Sequence, residues 1–383
     1  RKSLTNNFIT DRAPQTYFII AGEQSADNHG ASLMMAMLAQ NSEIVFKGIG
    51  GKKMTNAGLS SIEEIDKMAV MGFVEVIKHL RFFRDVTLKV LEEIDNCQPR
   101  QIILIDYPGF NLRMAKKIKG KFDIPITYYI SPQLWAWKEN RITIIRKYID
   151  QMLVIFPFEE EWYREREVKA KFVGHPIFDE WTPSSKEELC ELLNLNADNR
   201  IITLYPGSRL QEVKKHLPIL IQAAAKLRNE DTSLQFILGA TPQIDWTQWI
   251  LPDWIQVESK YPQKALECAE LALVASGTAT LEAAVFGTPM IIIYKMASIS
   301  WWISRVLVSV PFAGMVNIIA RREIMPELLQ ENATPEKVFS TASSILKNPE
   351  KMEEMLADLK KVQLKLKGGG ASNKVATHIL ELN

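Results

Sequence analysis

The sequence predicts two consecutive α/β units, each built on a mostly parallel sheet, with a ligand cleft where the units meet. Short, fully apolar runs recur, each followed by a polar loop and a helix-length segment, which is the pattern of strands buried on both faces. The pattern breaks at residues 174–185, a stretch holding Pro176 and Pro183, and then starts again. At 383 residues the chain exceeds the size at which one core usually stops growing. The units are expected at residues 16–180 and 185–350, with a helical tail over 351–383 packing back on the first.

The first unit opens with the apolar run Thr16 to Ala21, the loop Gly22-Glu23-Gln24-Ser25-Ala26-Asp27-Asn28-His29-Gly30 and a helical pattern from Ala31 to Leu38. Strand signals follow at Ile44 to Lys47, running into Gly48-Ile49-Gly50-Gly51, at Ile102 to Ile105, at Ile126 to Ile130 and at Met152 to Phe156. In the second unit the runs are Ile201 to Tyr205, Leu234 to Leu238, Leu271 to Ala275 and Met290 to Tyr294, with a helix expected over Pro218 to Arg228. A Lys- and Glu-rich helical pattern, Asn348 to Leu366, is separated by Gly368-Gly369-Gly370 from a last short helix, Ser372 to Leu382.

Composition excludes several classes. With 46 basic and 45 acidic side chains the formal net charge is +1, so there is no global attraction to nucleic acid. Cys97, Cys190 and Cys268 match no ligand spacing and read as reduced thiols, and no His, Cys and carboxylate cluster has a metal spacing. No apolar segment of about 20 residues is present, so any membrane contact is expected to be peripheral. The chain begins with Arg1, and its first 15 residues are polar, which leaves an upstream segment open.

In a parallel sheet the loops at the carboxyl ends of the strands face the ligand crevice. Ser276-Gly277-Thr278-Ala279-Thr280-Leu281-Glu282 follows such a strand. Gly277 allows close backbone approach, Thr278 or Thr280 can cap the next helix, and the free amides of that helix suit a phosphate. Glu282, one turn on, suits a ribose diol; the plain alternative is a capped helix with a solvated acid. Pro206-Gly207-Ser208-Arg209 makes a second anion-friendly turn, although Glu212 stands three residues beyond Arg209, where an intrahelical ion pair is equally available. Neither loop is a dinucleotide or P-loop fingerprint, which argues against an NAD enzyme or an ATPase.

In the first unit, Asp106 ends the Ile102 to Ile105 strand, where a carboxylate can take a proton from an attacking hydroxyl or simply form a turn. Glu23, Asp27 and His29 share another such loop and either bind an acceptor or cap a helix. Trp135 and Trp137, at i and i+2, face different ways on a helix, and His175 lies near the join. Two segments are oilier than a solvated surface needs. Residues 70–83, with Phe73, Val76, Phe82 and Phe83, resemble an interfacial amphipathic helix, and residues 299–311 carry Trp301 and Trp302. Helices buried between domains give similar patterns.

Taken together, these motifs resemble the lipid-A-disaccharide synthases, glycosyltransferases of the GT-B type in which two Rossmann-like domains face a central cleft. The likeness runs through Ala21 to Asp27, Gly48 to Gly51, Val70 to Val76, Asp106-Tyr107-Pro108-Gly109-Phe110-Asn111, Ser131-Pro132, Trp135 to Trp137, Phe156-Pro157-Phe158-Glu159 and Phe172 to Pro176. It continues through Pro206 to Arg209, Ser276 to Glu282 and Pro326 to Gln330. The resemblance implies transfer of a 2,3-diacylglucosamine unit from its UDP derivative onto 2,3-diacylglucosamine 1-phosphate, giving a β-1,6 disaccharide and UDP, without a cofactor. It implies Asp106 as the base with Glu23 beside it. It also places Arg209, Ser208, Glu282 and Asn317 around the UDP-sugar, offers the amides of Ser276, Gly277 and Thr278 to the diphosphate, and makes Asp27 a substrate ligand. Among partners it implies an anionic membrane surface and no nucleic acid, with attachment to the cytoplasmic face of a Gram-negative inner membrane and a homodimer left open. Ala26 replaces a common Gly, Gly109 stands where some relatives carry a second Asp, and Met315-Val316-Asn317 replaces Leu-Pro-Asn. A UDP-N-acetylglucosamine 2-epimerase and a non-catalytic binding relative are the competing readings.

Overall fold

The computed structural model describes residues 15–65, 68, 76–295, 311–367 and 369–382. Seven parallel strands form the first sheet: β1 (Gln15–Ala21), β2 (Ile44–Gly50), β3 (Leu59–Glu64), β4 (Gln101–Ile105), β5 (Ile126–Tyr129), β6 (Gln151–Val154) and β7 (Ala170–Phe172), in the order β3-β2-β1-β4-β5-β6-β7. Six more, β8 (Ile201–Tyr205), β9 (Gln235–Gly239), β10 (Ile255–Glu258), β11 (Leu271–Ala275), β12 (Met290–Tyr294) and β13 (Glu327–Leu329), form the second in the order β10-β9-β8-β11-β12-β13. Both are doubly wound, as expected for α/β units. The central strands β4, β8 and β11 are buried along their whole length, which is why each reads as an unbroken apolar run.

The four strands that the apolar runs did not announce, β3, β7, β10 and β13, are the edges of the two sheets. An edge strand is covered less completely and tolerates residues such as Ser60, Glu63 and Lys171.

The helices of the first half are α1 (Gln24–Gln40), α2 (Lys52–Asn56), α3 (Val76–Cys97), α4 (Pro108–Lys119), α5 (Ile142–Tyr148), α6 (Pro157–Arg164) and α7 (Ile177–Glu180). Those of the second are α8 (Lys186–Leu193), α9 (Leu210–Glu230), α10 (Pro262–Glu267), α11 (Thr278–Phe286), α12 (Met315–Ala320), α13 (Pro335–Leu346), α14 (Pro349–Leu366) and α15 (Ala371–Glu381). The expected helix start at Pro218 is corrected: α9 begins eight residues earlier and carries Pro218 inside it. A Pro is read most naturally as a first helical residue, whereas here the buried face of Val213, His216 and Leu217 keeps the preceding turns helical.

Two chain crossings join the halves and touch each other. The His175 amide donates to the Leu366 carbonyl at 3.1 Å, and the Asp179 carboxylate accepts from the amides of Ala371 (2.9 Å) and Ser372 (2.7 Å), capping α15. α15 lies on α1, with Val375, Ala376 and Ile379 buried, and Gln40 donates to both the Asn373 carbonyl and the Thr377 hydroxyl. A second link is the ion pair between Arg321 and Glu161, 3.0 Å long. Among the described residues no helix is long and apolar enough to cross a membrane.

Candidate active site

After β4 the chain turns through two consecutive left-handed residues, Asp106 (φ 46°) and Tyr107 (φ 48°), before Pro108 starts α4. Such backbone is uncommon for non-glycine residues and has to be held by its surroundings. The Asp106 amide donates to Tyr129 O at 3.0 Å, while the Asp106 carbonyl accepts from the Tyr128 hydroxyl at 2.6 Å and from Asn111 Nδ2 at 2.8 Å. The Tyr107 ring then lies against Gly22, where a Cβ would sit 2.2 Å from it. Gly22 therefore lets the β1 loop approach the β4 turn, and this contact brings Glu23 beside Asp106.

The carboxyls of Asp106 and Glu23 lie close enough to share a proton in a hydrogen bond. Burial, the Glu23 charge and the shared hydrogen bond push Asp106 up to about 7. Glu23 also accepts from the Ser25 hydroxyl at 2.9 Å. A carboxylate with its affinity for protons raised to neutrality is a better base than an exposed one and is still ionised in part near neutral pH.

Asp27, expected as a substrate ligand, is engaged as a structural cap. It is 1% exposed; Oδ1 accepts from the amides of Gly51 (2.7 Å) and Met54 (3.0 Å), and Oδ2 from Lys53 (3.1 Å). It caps α2 rather than its own helix, which ties the Gly48 to Gly51 motif to the first loop.

Sequence reasoning gave Glu159 no role, yet it organises the next loop. It is fully enclosed, and its carboxylate accepts from the Ser131 hydroxyl (2.7 Å), Trp135 Nε1 (3.1 Å) and the Phe156 amide (3.1 Å). Burial pushes it up to about 7, against those three donors. The signal was present, since Ser131, Trp135 and Glu159 stand in three separate motifs that the fold makes into one cluster. Trp135 packs edge-on to Phe158, while Trp137, in the same non-helical turn, is 49% exposed with Lys138 Nζ 4.0 Å above its ring. His29 and His175 are held neutral by burial, lowered to about 4 and about 3.

In the second half Gly277, with φ 150°, stands at the N-terminus of α11, and a Cβ there would meet nothing within 4 Å. The Thr280 amide turns back onto Gly277 O at 3.1 Å, but no side chain caps α11, so the amides ahead of it are open to an anion. Neither Thr278 nor Thr280 caps it: Thr278 is exposed, and the Thr280 hydroxyl donates to Gly277 O at 2.8 Å. The Ser276 amide is also engaged, donating to Ile293 O at 2.8 Å, and its hydroxyl donates to Ala313 O at 2.7 Å. That leaves Gly277 and Thr278 to offer amides. Burial raises Glu282 to about 7, and its charge reaches Tyr205 at the end of β8.

Ser208 and Arg209 are exposed beyond β8, and Arg209 sits 3.5 Å from Glu212, the intrahelical pair that the spacing allowed. His216, a second residue that sequence reasoning missed, clamps this loop: Nδ1 meets Pro206 O at 3.0 Å and Nε2 accepts from the Lys295 amide at 2.9 Å, which fixes a neutral ring. Asn317, expected beside the UDP-sugar, is engaged inside the protein. It is fully buried, donates to Met325 O and Glu327 Oε1 (both 2.8 Å), and accepts from the amides of Ile324 (2.8 Å) and Met325 (3.0 Å). Its amide is fully used within the protein. It orients Glu327, whose carboxylate accepts from the amides of Ala313 (2.8 Å) and Gly314 (2.9 Å), the loop beside Ser276.

Of the expected membrane-contact residues, Phe73, Trp301 and Trp302 lie outside the described residues, and only the backbone of Val76 is described. Phe82 and Phe83 are half-buried; the rings of Phe83 and Phe110 are 5.7 Å apart, and those of Tyr107 and Phe110 are 6.2 Å apart. An aromatic row thus runs from α3 to the Asp106 turn.

Two doubly wound α/β units, with a carboxyl pair at the strand ends of one and an open helix N-terminus on the other, define the GT-B fold. Solved structures share that fold: a calicheamicin glycosyltransferase (TM-score 0.59, 14% identity, 96% of this chain and 98% of that one) and a UDP-GlcNAc 2-epimerase from Neisseria meningitidis (TM-score 0.63, 9% identity, 96% and 99%). The lipid-A-disaccharide synthetase family model matches residues 17–379. Lipid-A-disaccharide synthases from Syntrophus aciditrophicus (39% identity, 95% of this chain and 97% of the relative) and Coxiella burnetii strain CbuG_Q212 (36%, 96% and 98%) align along nearly the whole length. The chain belongs to the lipid-A-disaccharide synthase family, enzymes of lipid A biosynthesis.

Proposed function

We propose that the protein transfers the 2,3-diacylglucosamine unit of its UDP derivative onto the 6-hydroxyl of 2,3-diacylglucosamine 1-phosphate. The observation that carries this reading is the Asp106–Glu23 dyad at the carboxyl end of β4, a proton acceptor tuned to neutrality in the half of the molecule without the anion-binding helix start. The region around residues 16–180 is then the acceptor side and that around 185–350 the donor side.

The acceptor 6-oxygen attacks C1 of the donor sugar as its proton passes to the dyad through Asp106. The bond from C1 to the β-phosphate oxygen breaks, and UDP leaves with the electron pair. One displacement inverts an α-linked donor to a β product, and no covalent enzyme intermediate is needed. The α11 amides at Gly277 and Thr278 meet the growing diphosphate charge, with Arg209 free to swing from Glu212. Glu282 receives the ribose hydroxyls. The aromatic row from Phe83 to Tyr107 gives the acceptor's acyl chains an apolar path from a bilayer surface to the dyad, so attachment to the membrane is peripheral.

Incubation with both substrates and mass analysis of products tests the reaction; a free sugar or an epimerised nucleotide sugar in place of a disaccharide and UDP would sink it. The 2-epimerase reading has the shared fold in its favour. It leaves the acceptor-side motifs of residues 131–159 without a task.

A further inference from the structure

The loop after β5 lies beside the Asp106 turn, because β4 and β5 pair with Ile105 opposite Tyr129. It leaves the strand through Ile130, a β-branched residue at φ 64°, and is anchored by the hydrogen bonds from Ser131 and Trp135 to the enclosed Glu159. Beyond the anchor it presents an exposed indole, Trp137, and two cations, Lys138 and Arg141. The acid in this stretch, Glu139, is drawn off to Arg166 at 2.7 Å. Lys138 and Arg141 have no carboxylate within ion-pair distance among the described residues, so the loop keeps a net positive charge. Arg141 is half-buried, and its charge is felt by Tyr128, whose hydroxyl donates to the Asp106 carbonyl.

We infer that residues 137–141 form the acceptor's headgroup subsite, with Trp137 against a sugar face and Arg141 and Lys138 on an anomeric phosphate, and that Glu159 is the positioning residue that holds this loop beside the dyad. The inference rests on the proposed reaction, since it concerns the acceptor that reaction uses. An aromatic face covers the apolar side of a pyranose, and a guanidinium makes forked contacts with phosphate oxygens. The same loop therefore supplies both chemistries that a sugar 1-phosphate needs. It also explains why a carboxylate is kept in full burial at Glu159: two donors from this loop, Ser131 and Trp135, and the Phe156 amide at the start of its own helix converge on it, and a neutral side chain cannot accept from all three.

The test compares short-chain diacylglucosamine with and without its 1-phosphate, by calorimetric binding with UDP present and by turnover. Wild type should bind the phosphorylated acceptor more tightly. Arg141→Gln should reduce that preference by about tenfold, the effect of losing one charged hydrogen-bond set, with the KM for the UDP-sugar unchanged. Trp137→Leu should weaken both acceptors alike. Glu159→Gln should raise the acceptor KM, again leaving the donor KM in place, in a protein with wild-type circular dichroism. If Arg141→Gln and Lys138→Gln keep the full phosphate preference, the phosphate subsite lies elsewhere; an unchanged acceptor KM in Glu159→Gln removes the anchoring role. Phosphate-dependent binding without disaccharide formation would overturn the transferase reading and leave the subsite standing.

Discussion

Asp106 shows how one residue is given two opposed tasks. As the proposed base it gains from an elevated proton affinity, and the same elevation means that its charged form is held against the preference of the fold. We expect kcat/KM to rise with pH through about 7, because the ionised dyad is the active form, and Asp106→Asn to fold and bind UDP while losing nearly all turnover; a product-resolved rate within tenfold of wild type would exclude it as the base. Arg209→Ala should weaken UDP binding by roughly 1.5–3 kcal/mol by calorimetry, and an unchanged affinity would leave Arg209 in its pair with Glu212. Of the site residues read from the sequence, those at strand ends kept their positions, whereas Asp27 and Asn317 turned inward. An Asp or Asn is equally suited to a ligand and to backbone amides, and local pattern does not say which amides will arrive.

Among the elements, α3 joins the oily segment to the chemistry. Its half-buried Phe83 leans on Phe110 and on the Arg113 guanidinium, 5.9 Å from the ring, so only part of this aromatic pair faces outward. Replacing Phe82 and Phe83 with Ser should reduce sedimentation with anionic liposomes while UDP binding persists. Equal sedimentation of a folded variant would assign both rings to the core of the first sheet. The edge strands give the complementary lesson: β4 and β11 were legible because both faces are covered, while β3 and β13 were not, because an edge needs fewer apolar residues.

For the whole molecule, three enclosed carboxyls, Asp106, Glu159 and Glu282, have each been pushed up to about 7. Folded-state values above the unfolded ones mean that their contribution is fully present below about pH 4 and is lost as pH rises through about 7. Asp106→Asn removes one of the three. Its melting temperature should match wild type at or below about pH 4 and exceed it by on the order of a few degrees at pH 8; a lower value at pH 8 would contradict the buried-dyad picture. The halves are also tied through Asp179, which caps α15 from the linker. Asp179→Ala should cost about 1 kcal/mol in urea unfolding and speed hydrogen exchange at Ala371 and Ser372, and unaltered exchange would deny the cap.

The amino-acid sequence by itself determined the class of fold, the central strands and the strand-end loops proposed to carry the chemistry, because strand burial and strand-end loops are written in short contiguous runs. Asp106, Gly277 and Glu282 were all legible in that way. Only the tertiary structure decided that Gly22 admits the Tyr107 ring and so brings Glu23 to Asp106. It also decided that Glu159 holds the Ser131–Trp135 loop to the start of α6, that His216 clamps the Arg209 loop to the end of β12, and that Asn317 is occupied by Glu327. Each of these is a contact between segments far apart in the chain, and the partner of a buried polar group is chosen by which backbone amides and hydroxyls the packed sheets deliver to it, information that no local stretch contains.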